Sequence, residues 1–97
     1  MEYTIENEYL KVTVTTWGAQ VKSVLRKCDG AEHIWQADKS LWGYHAPILF
    51  PHCGKVVDGV IEAKGQTCQS PQHGFARLME HSFVDQSRDT LVLELCA

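Results

Sequence analysis

No run in this 97-residue sequence approaches the roughly 20 consecutive apolar residues that span a bilayer, so no membrane-crossing helix is expected. The first residues, Met1-Glu2-Tyr3-Thr4-Ile5-Glu6, have neither the basic start nor the apolar stretch of a secretory leader, which makes the cytoplasm the expected compartment. Positive charge is in deficit: nine Lys and Arg face twelve Asp and Glu, a net charge of −3. That balance offers nothing to attract nucleic acid or an anionic membrane surface. Metal-binding spacings are missing as well. The four cysteines (Cys28, Cys53, Cys68, Cys96) and five histidines form no C-x-x-C, H-x-x-x-H or H-E-x-x-H, so no metal is expected. In a reducing compartment the thiols stay free. They are expected as scattered core groups, and the histidines as surface imidazoles. Phosphate-cradling glycine loops, internal repeats and low-complexity tracts are also missing.

What the chain does contain is strand signal. Leu10-Lys11-Val12-Thr13-Val14-Thr15 alternates apolar and polar residues, which puts Leu10, Val12 and Val14 on one face. Gln20 to Arg26 reads as the next strand. Asp29-Gly30 is a turn pair, and Glu32-His33-Ile34-Trp35 is expected to return as a short strand. Asp38 to Tyr44 reads as one helical turn or an irregular loop. Val60 to Ala63 and Gln66 to Cys68, around Lys64-Gly65, predict a hairpin. Glu80 to Gln86 and Thr90 to Leu95 predict another, around Ser87-Arg88-Asp89. No long amphipathic helix is expected, and the predicted class is all-β. The last strand is strongly apolar and stops without a polar tail, so it is expected to need neighbours and a covering layer from a longer domain.

Two segments break the strand pattern. In Ala46-Pro47-Ile48-Leu49-Phe50-Pro51-His52-Cys53-Gly54-Lys55, two prolines bracket an apolar triplet and force an extended course. In Pro71-Gln72-His73-Gly74-Phe75-Ala76-Arg77, the glycine permits a backbone that presents His73 sharply. Both set polar or cationic side chains on irregular backbone beside apolar anchors, where binding groups concentrate. Arg77 can donate paired hydrogen bonds to a phosphate, a carboxylate or a vicinal diol. Each of these features also has a purely structural reading. His73 can be a turn histidine tied to a backbone carbonyl. Trp17, Trp35 and Trp42 can stack on pyranose rings, but in so small a β-rich domain each is expected in the core. Cys53 lies beside His52, yet adjacency in sequence is not the spatial pairing that a cysteine nucleophile requires.

Gly18-Ala19-Gln20-Val21, Trp35-Gln36, Trp42, Ala46 to Pro51, Gly54, Asp58-Gly59 and Pro71 to Arg77 follow one another in this order. Together they resemble the N-terminal region of the aldose 1-epimerase (galactose mutarotase-like) family, in its bacterial LacX-type branch. The resemblance covers essentially the whole chain. It implies an antiparallel β-sandwich several times longer, of which residues 1–97 are the N-terminal part. It also implies interconversion of the α and β anomers of a hexose or hexose phosphate, with neither metal nor organic cofactor. In that chemistry an acid protonates the ring oxygen while a carboxylate takes the anomeric proton. The ring opens, C1–C2 rotates, and the ring closes on the other face.

Carried over residue by residue, the resemblance implies that His73 is the family's first active-site histidine. Lys55 stands where the family usually has arginine, keeping the charge but losing the planar fork. Arg77 falls in the segment that helps hold phosphate in phosphosugar relatives. The second histidine and the glutamate base have no counterpart before Ala97, so the chain alone is expected to be inactive. The competing expectation is a carbohydrate-binding or interaction module without turnover, with self-association through open sheet edges.

Overall fold

The computed structural model describes residues 1–63 and 65–96. Strands β1 (Glu2–Glu6), β2 (Leu10–Thr15), β3 (Gln20–Arg26) and β4 (Ala31–Glu32) form an antiparallel sheet in the order β1-β2-β3-β4. Two antiparallel hairpins follow: β5 (Val60–Ala63) with β6 (Gln66–Gln69), and β7 (Ser82–Gln86) with β8 (Leu91–Glu94). Single 3₁₀ turns at Val57–Gly59 and Ala76–Leu78 are the helical elements among the described residues. The all-β expectation therefore holds. Lys64, half of the turn expected between β5 and β6, lies outside the described residues.

Local chemistry sets these elements. In β1, Tyr3 and Ile5 are half-buried while Glu2, Thr4 and Glu6 face water, the period of a strand with one covered face. The Asn7 side chain closes the β1–β2 turn by accepting the Tyr9 and Leu10 amides, both at 2.8 Å. Between β2 and β3, Thr13 faces Ser23 but Val14 faces Val21, so Lys22 is the extra residue of a bulge. The Arg26–Asp29 ion pair and the Gly30 amide on the Arg26 carbonyl (2.8 Å) close the turn into β4.

Several sequence expectations are corrected. β4 stops at Glu32 instead of running to Trp35, because the Glu32 carboxylate takes the Val24, His33 and Ile34 amides at 2.9, 2.9 and 3.1 Å. The His33 amide is shared between this carboxylate and the Val24 carbonyl, the latter also at 2.9 Å, and the Val24 amide turns to the side chain instead of to a further strand partner. Asp38 to Tyr44 opens on a single hydrogen-bonded turn, the Asp38 carbonyl accepting the Leu41 and Trp42 amides at 2.9 and 2.8 Å, and continues as irregular loop, so each alternative describes part of it. Trp17, Trp35 and Trp42 are half-exposed, not core. All four cysteines are free and exposed, so none is a core thiol. Of the expected surface imidazoles, His81 is buried and His52 and His73 are half-buried, each of the three hydrogen-bonded.

The exposed tryptophans and thiols share one cause. The described residues spread as a plate of 50 × 34 × 18 Å with a radius of gyration of 15.8 Å, against about 13 Å for a compact 100-residue domain. Among the described residues, Val14 and Ala76 are the buried hydrophobic side chains. Side chains that the sequence marks as core-forming lie on a face with a single layer of chain.

Candidate functional site

The site is built where the two irregular segments meet. The first is pinned at its start by Gln20, whose buried side-chain oxygen accepts the His45 and Ala46 amides at 2.5 and 3.1 Å. It then runs extended to Phe50 and crosses a cis bond to Pro51. There the second segment joins it. Phe50 and Gly74 form a parallel bridge, and the Phe50 carbonyl accepts the Phe75 and Ala76 amides at 3.0 and 3.2 Å. The Phe50 and Phe75 rings meet edge to face at 6.1 Å. A Cβ at Gly74 would lie 2.0 Å from the Phe50 carbonyl oxygen, so the contact exists only because this residue has no side chain.

A second junction lies 19 residues apart in sequence. The Gly54 amide donates to Nδ1 of His73 at 2.8 Å, and the His73 amide donates to the Gly54 carbonyl at 2.8 Å. His73 has φ +67°, a left-handed conformation that only its surroundings can hold. The structural alternative for this residue is thereby changed: the ring accepts from a backbone amide and does not donate to a carbonyl. Lys55 follows Gly54 directly and is exposed, which places its backbone beside the His73 loop.

Arg77 sits in the 3₁₀ turn that follows. Its Nη2 donates to the Gln72 carbonyl at 3.0 Å, and its guanidinium lies 4.9 Å over the Tyr44 ring. Nε of Arg77 is buried with no partner. Trp42 lies against Tyr44 at 5.8 Å, and the Trp35 indole donates to the Trp42 carbonyl at 2.8 Å. Behind Arg77, a Cβ at Gly18 would come within 2.7 Å of its carbonyl oxygen, so the β2–β3 turn packs directly on the loop.

Among the described residues, the ion pairs are Lys22–Glu2, Arg26–Asp29 and Lys27–Glu6, all on the four-stranded sheet. Lys55 and Arg77 are in none of them. No group of three or more His, Cys, Asp or Glu side chains gathers as a metal cage among the described residues. Shifted carboxylates lie away from this face. Lys22 lowers Glu2, Arg26 lowers Asp29, Ser23 lowers Glu32 and Ser40 lowers Asp38, each chiefly through a side-chain hydrogen bond. A surface cleft of about 520 Å³ lies elsewhere, lined by Glu8, Tyr9, Leu10, Arg26, Lys27 and Cys28. It holds none of the loop residues, and the interlocked loops are the better candidate because they position polar groups from distant parts of the chain.

The sequence named His73, Arg77 and Lys55. It missed Tyr44, His52 and Ser70, whose roles depend on partners far along the chain. Gln20 stood within a quoted motif, but its part in holding residues 45 and 46 had no local signal.

The chain belongs to the aldose 1-epimerase family, whose model matches residues 1–96. It is 34% identical over 100 residues to protein LacX of Lactococcus lactis subsp. lactis, in both its plasmid and chromosomal forms. That alignment covers 98% of this chain and 33% of LacX. A galactose mutarotase related enzyme from Lactobacillus acidophilus superposes with a TM-score of 0.89 at 36% identity, covering 96% of this chain and 31% of that one. A galactose mutarotase-like protein from Lactobacillus casei superposes with a TM-score of 0.82 at 38% identity, covering 91% and 30%. The fold is thus the all-β, antiparallel, galactose mutarotase-like one. The chain spans about a third of the length of the curated relatives it matches.

Proposed function

We propose that residues 1–97 are the N-terminal part of one galactose mutarotase-like domain, and that they supply the sugar-contacting loops of a cytoplasmic aldose 1-epimerase acting on a hexose or hexose phosphate. The observation that supports this most is the reciprocal pair of bonds between Gly54 and His73, which brings both family-like segments to one place. With Nδ1 of His73 engaged by an amide, its Nε2 edge is left for a sugar oxygen. Arg77, stacked on Tyr44, offers its remaining N–H groups to hydroxyls or to a phosphate. Lys55 adds charge next to Gly54 without a planar fork. The reaction moves protons and rotates a bond, so its chemistry calls for neither metal nor organic cofactor. The family resemblance assigns the acid and the base to residues outside this third of the domain.

This reading is tested by calorimetry and polarimetry on the 97-residue chain. Binding of galactose or glucose without acceleration of mutarotation is the expected result, since losing an acid–base group costs about 10² to 10⁴ in rate. Arg77→Ala should weaken a hexose 6-phosphate about 10- to 100-fold, the worth of a charge-assisted hydrogen bond, and the neutral hexose less. Equal loss for both sugars would remove the phosphate assignment. Rapid mutarotation by the chain would overturn the view that the acid and base lie elsewhere.

A further inference from the structure

Beside His73 lies a second histidine that the proposed reaction does not use. The two ring nitrogens of His52 face Gly54 and Ser70: Nδ1 lies 3.0 Å from the Gly54 carbonyl oxygen and Nε2 lies 2.7 Å from Ser70 Oγ. Ser70 is 5% exposed and its amide donates to the Gly59 carbonyl at 2.7 Å, so the hydroxyl is anchored at the end of β6. Gly54 itself has φ +80° and open space where a Cβ would be. Its amide and its carbonyl are both held by hydrogen bonds.

The roles in this relay follow from which groups can only donate and which can only accept. A carbonyl oxygen only accepts, so His52 must carry its proton at Nδ1. In the neutral ring Nε2 is then the acceptor, and the Ser70 hydroxyl donates to it. The Gly54 carbonyl also accepts the His73 amide, which uses both of its lone pairs. An amide N–H only donates, so Nδ1 of His73 must be bare and its neutral ring must carry the proton at Nε2. Two neighbouring histidines are held in opposite tautomers through one glycine.

We infer that His52 and Ser70 are positioning residues that fix the tautomer of His73, making it a hydrogen-bond donor at Nε2 toward the bound sugar. The inference rests on the reading of His73 as a sugar-facing residue. In this form the ring can hold a hydroxyl or ring oxygen of a hexose. It cannot take the anomeric proton at Nε2, because that nitrogen already carries one and the other is occupied by Gly54.

The test is long-range ¹H–¹⁵N correlation of the imidazole rings in the ¹⁵N-labelled 97-residue chain, with both rings neutral. The expected result is protonation of His73 at Nε2 and of His52 at Nδ1. A His73 proton at Nδ1, or a fast mixture in the unmodified chain, overturns the inference. His52→Leu and Ser70→Ala should each convert His73 to mixed tautomers. His52→Asn, whose amide can still donate to the Gly54 carbonyl, should restore the single form. A folded His52→Leu chain that keeps one His73 tautomer removes His52 from the role. If His52→Leu does not fold, the unmodified, Ser70→Ala and His52→Asn spectra decide. Added galactose should shift the His73 Nε2–H signal. Absence of that shift beside the expected tautomers counts against the sugar-facing reading and leaves the tautomer relay standing.

Discussion

Gly54 and His73 bind each other twice: amide to ring nitrogen and amide to carbonyl, both at 2.8 Å and across 19 residues. One junction of this kind fixes both loop position and ring orientation. The neighbouring contact of Gly74 under Phe50 makes the arrangement sensitive to a single methyl group.

Gly74→Ala should therefore be among the most damaging small substitutions. Its Cβ would enter the Phe50 carbonyl at φ +79°, where backbone cannot retreat without breaking the bridge. A cost of about 3 kcal/mol or more is expected in urea unfolding. Gly30→Ala is the control, with φ +70° and no atom within 4 Å, and should cost only about 1 to 2 kcal/mol from backbone strain. Equal losses would show that the loop junction is not as close as described.

Gln20→Leu removes the acceptor for two amides at once. The His45 and Ala46 N–H groups would be left without their partner, at about 1 to 3 kcal/mol. Amide hydrogen exchange should quicken at residues 45 and 46 and remain slow in the paired centres of β2 and β3. A uniform increase across the chain would mean that Gln20 supports the fold generally and not this segment.

The carboxylate of Glu32 is held below its ordinary value of 4.5, first by the Ser23 hydroxyl and then by backbone amides. As pH falls, the unfolded chain takes up this proton before the folded one does. The associated stability is thus present above about pH 4.5 and is lost as pH drops through the lower folded value. In melting curves, the gap between the parent chain and Glu32→Gln should be constant from pH 7 to about 5 and should narrow below about 4.5. A gap that narrows with rising pH would have the wrong sign.

All four thiols are exposed, and each should react with a disulfide reagent under native, reducing-agent-free conditions without denaturant. Fewer than four equivalents in freshly reduced protein would indicate that some cysteines are covered.

How far the sequence reached depends on the range of the interaction. β2 and β3 were legible to their end residues because alternation of β-branched and polar residues is a local property. The return strand was misjudged because the Glu32 side chain, three-fold engaged with nearby amides, competes with the ladder. His73 and Arg77 could be found through irregular backbone and motif. His52 could not, since its meaning comes from Ser70, 18 residues away, and from a glycine held at positive φ. The tryptophans were misplaced because composition reports how apolar a residue is but not whether a second layer covers it.

If His73 contacts sugar, it does more than tie down a turn. The most direct test is His73→Ala, with galactose affinity and melting temperature measured on the same sample. Loss of the Nε2 donor should lower affinity about tenfold, the worth of one hydrogen bond of about 1.4 kcal/mol. The melting temperature should fall modestly, because the Gly54 amide loses its ring partner while the Phe50–Gly74 bridge remains. A fall in melting temperature with unchanged affinity per folded molecule would contradict the account.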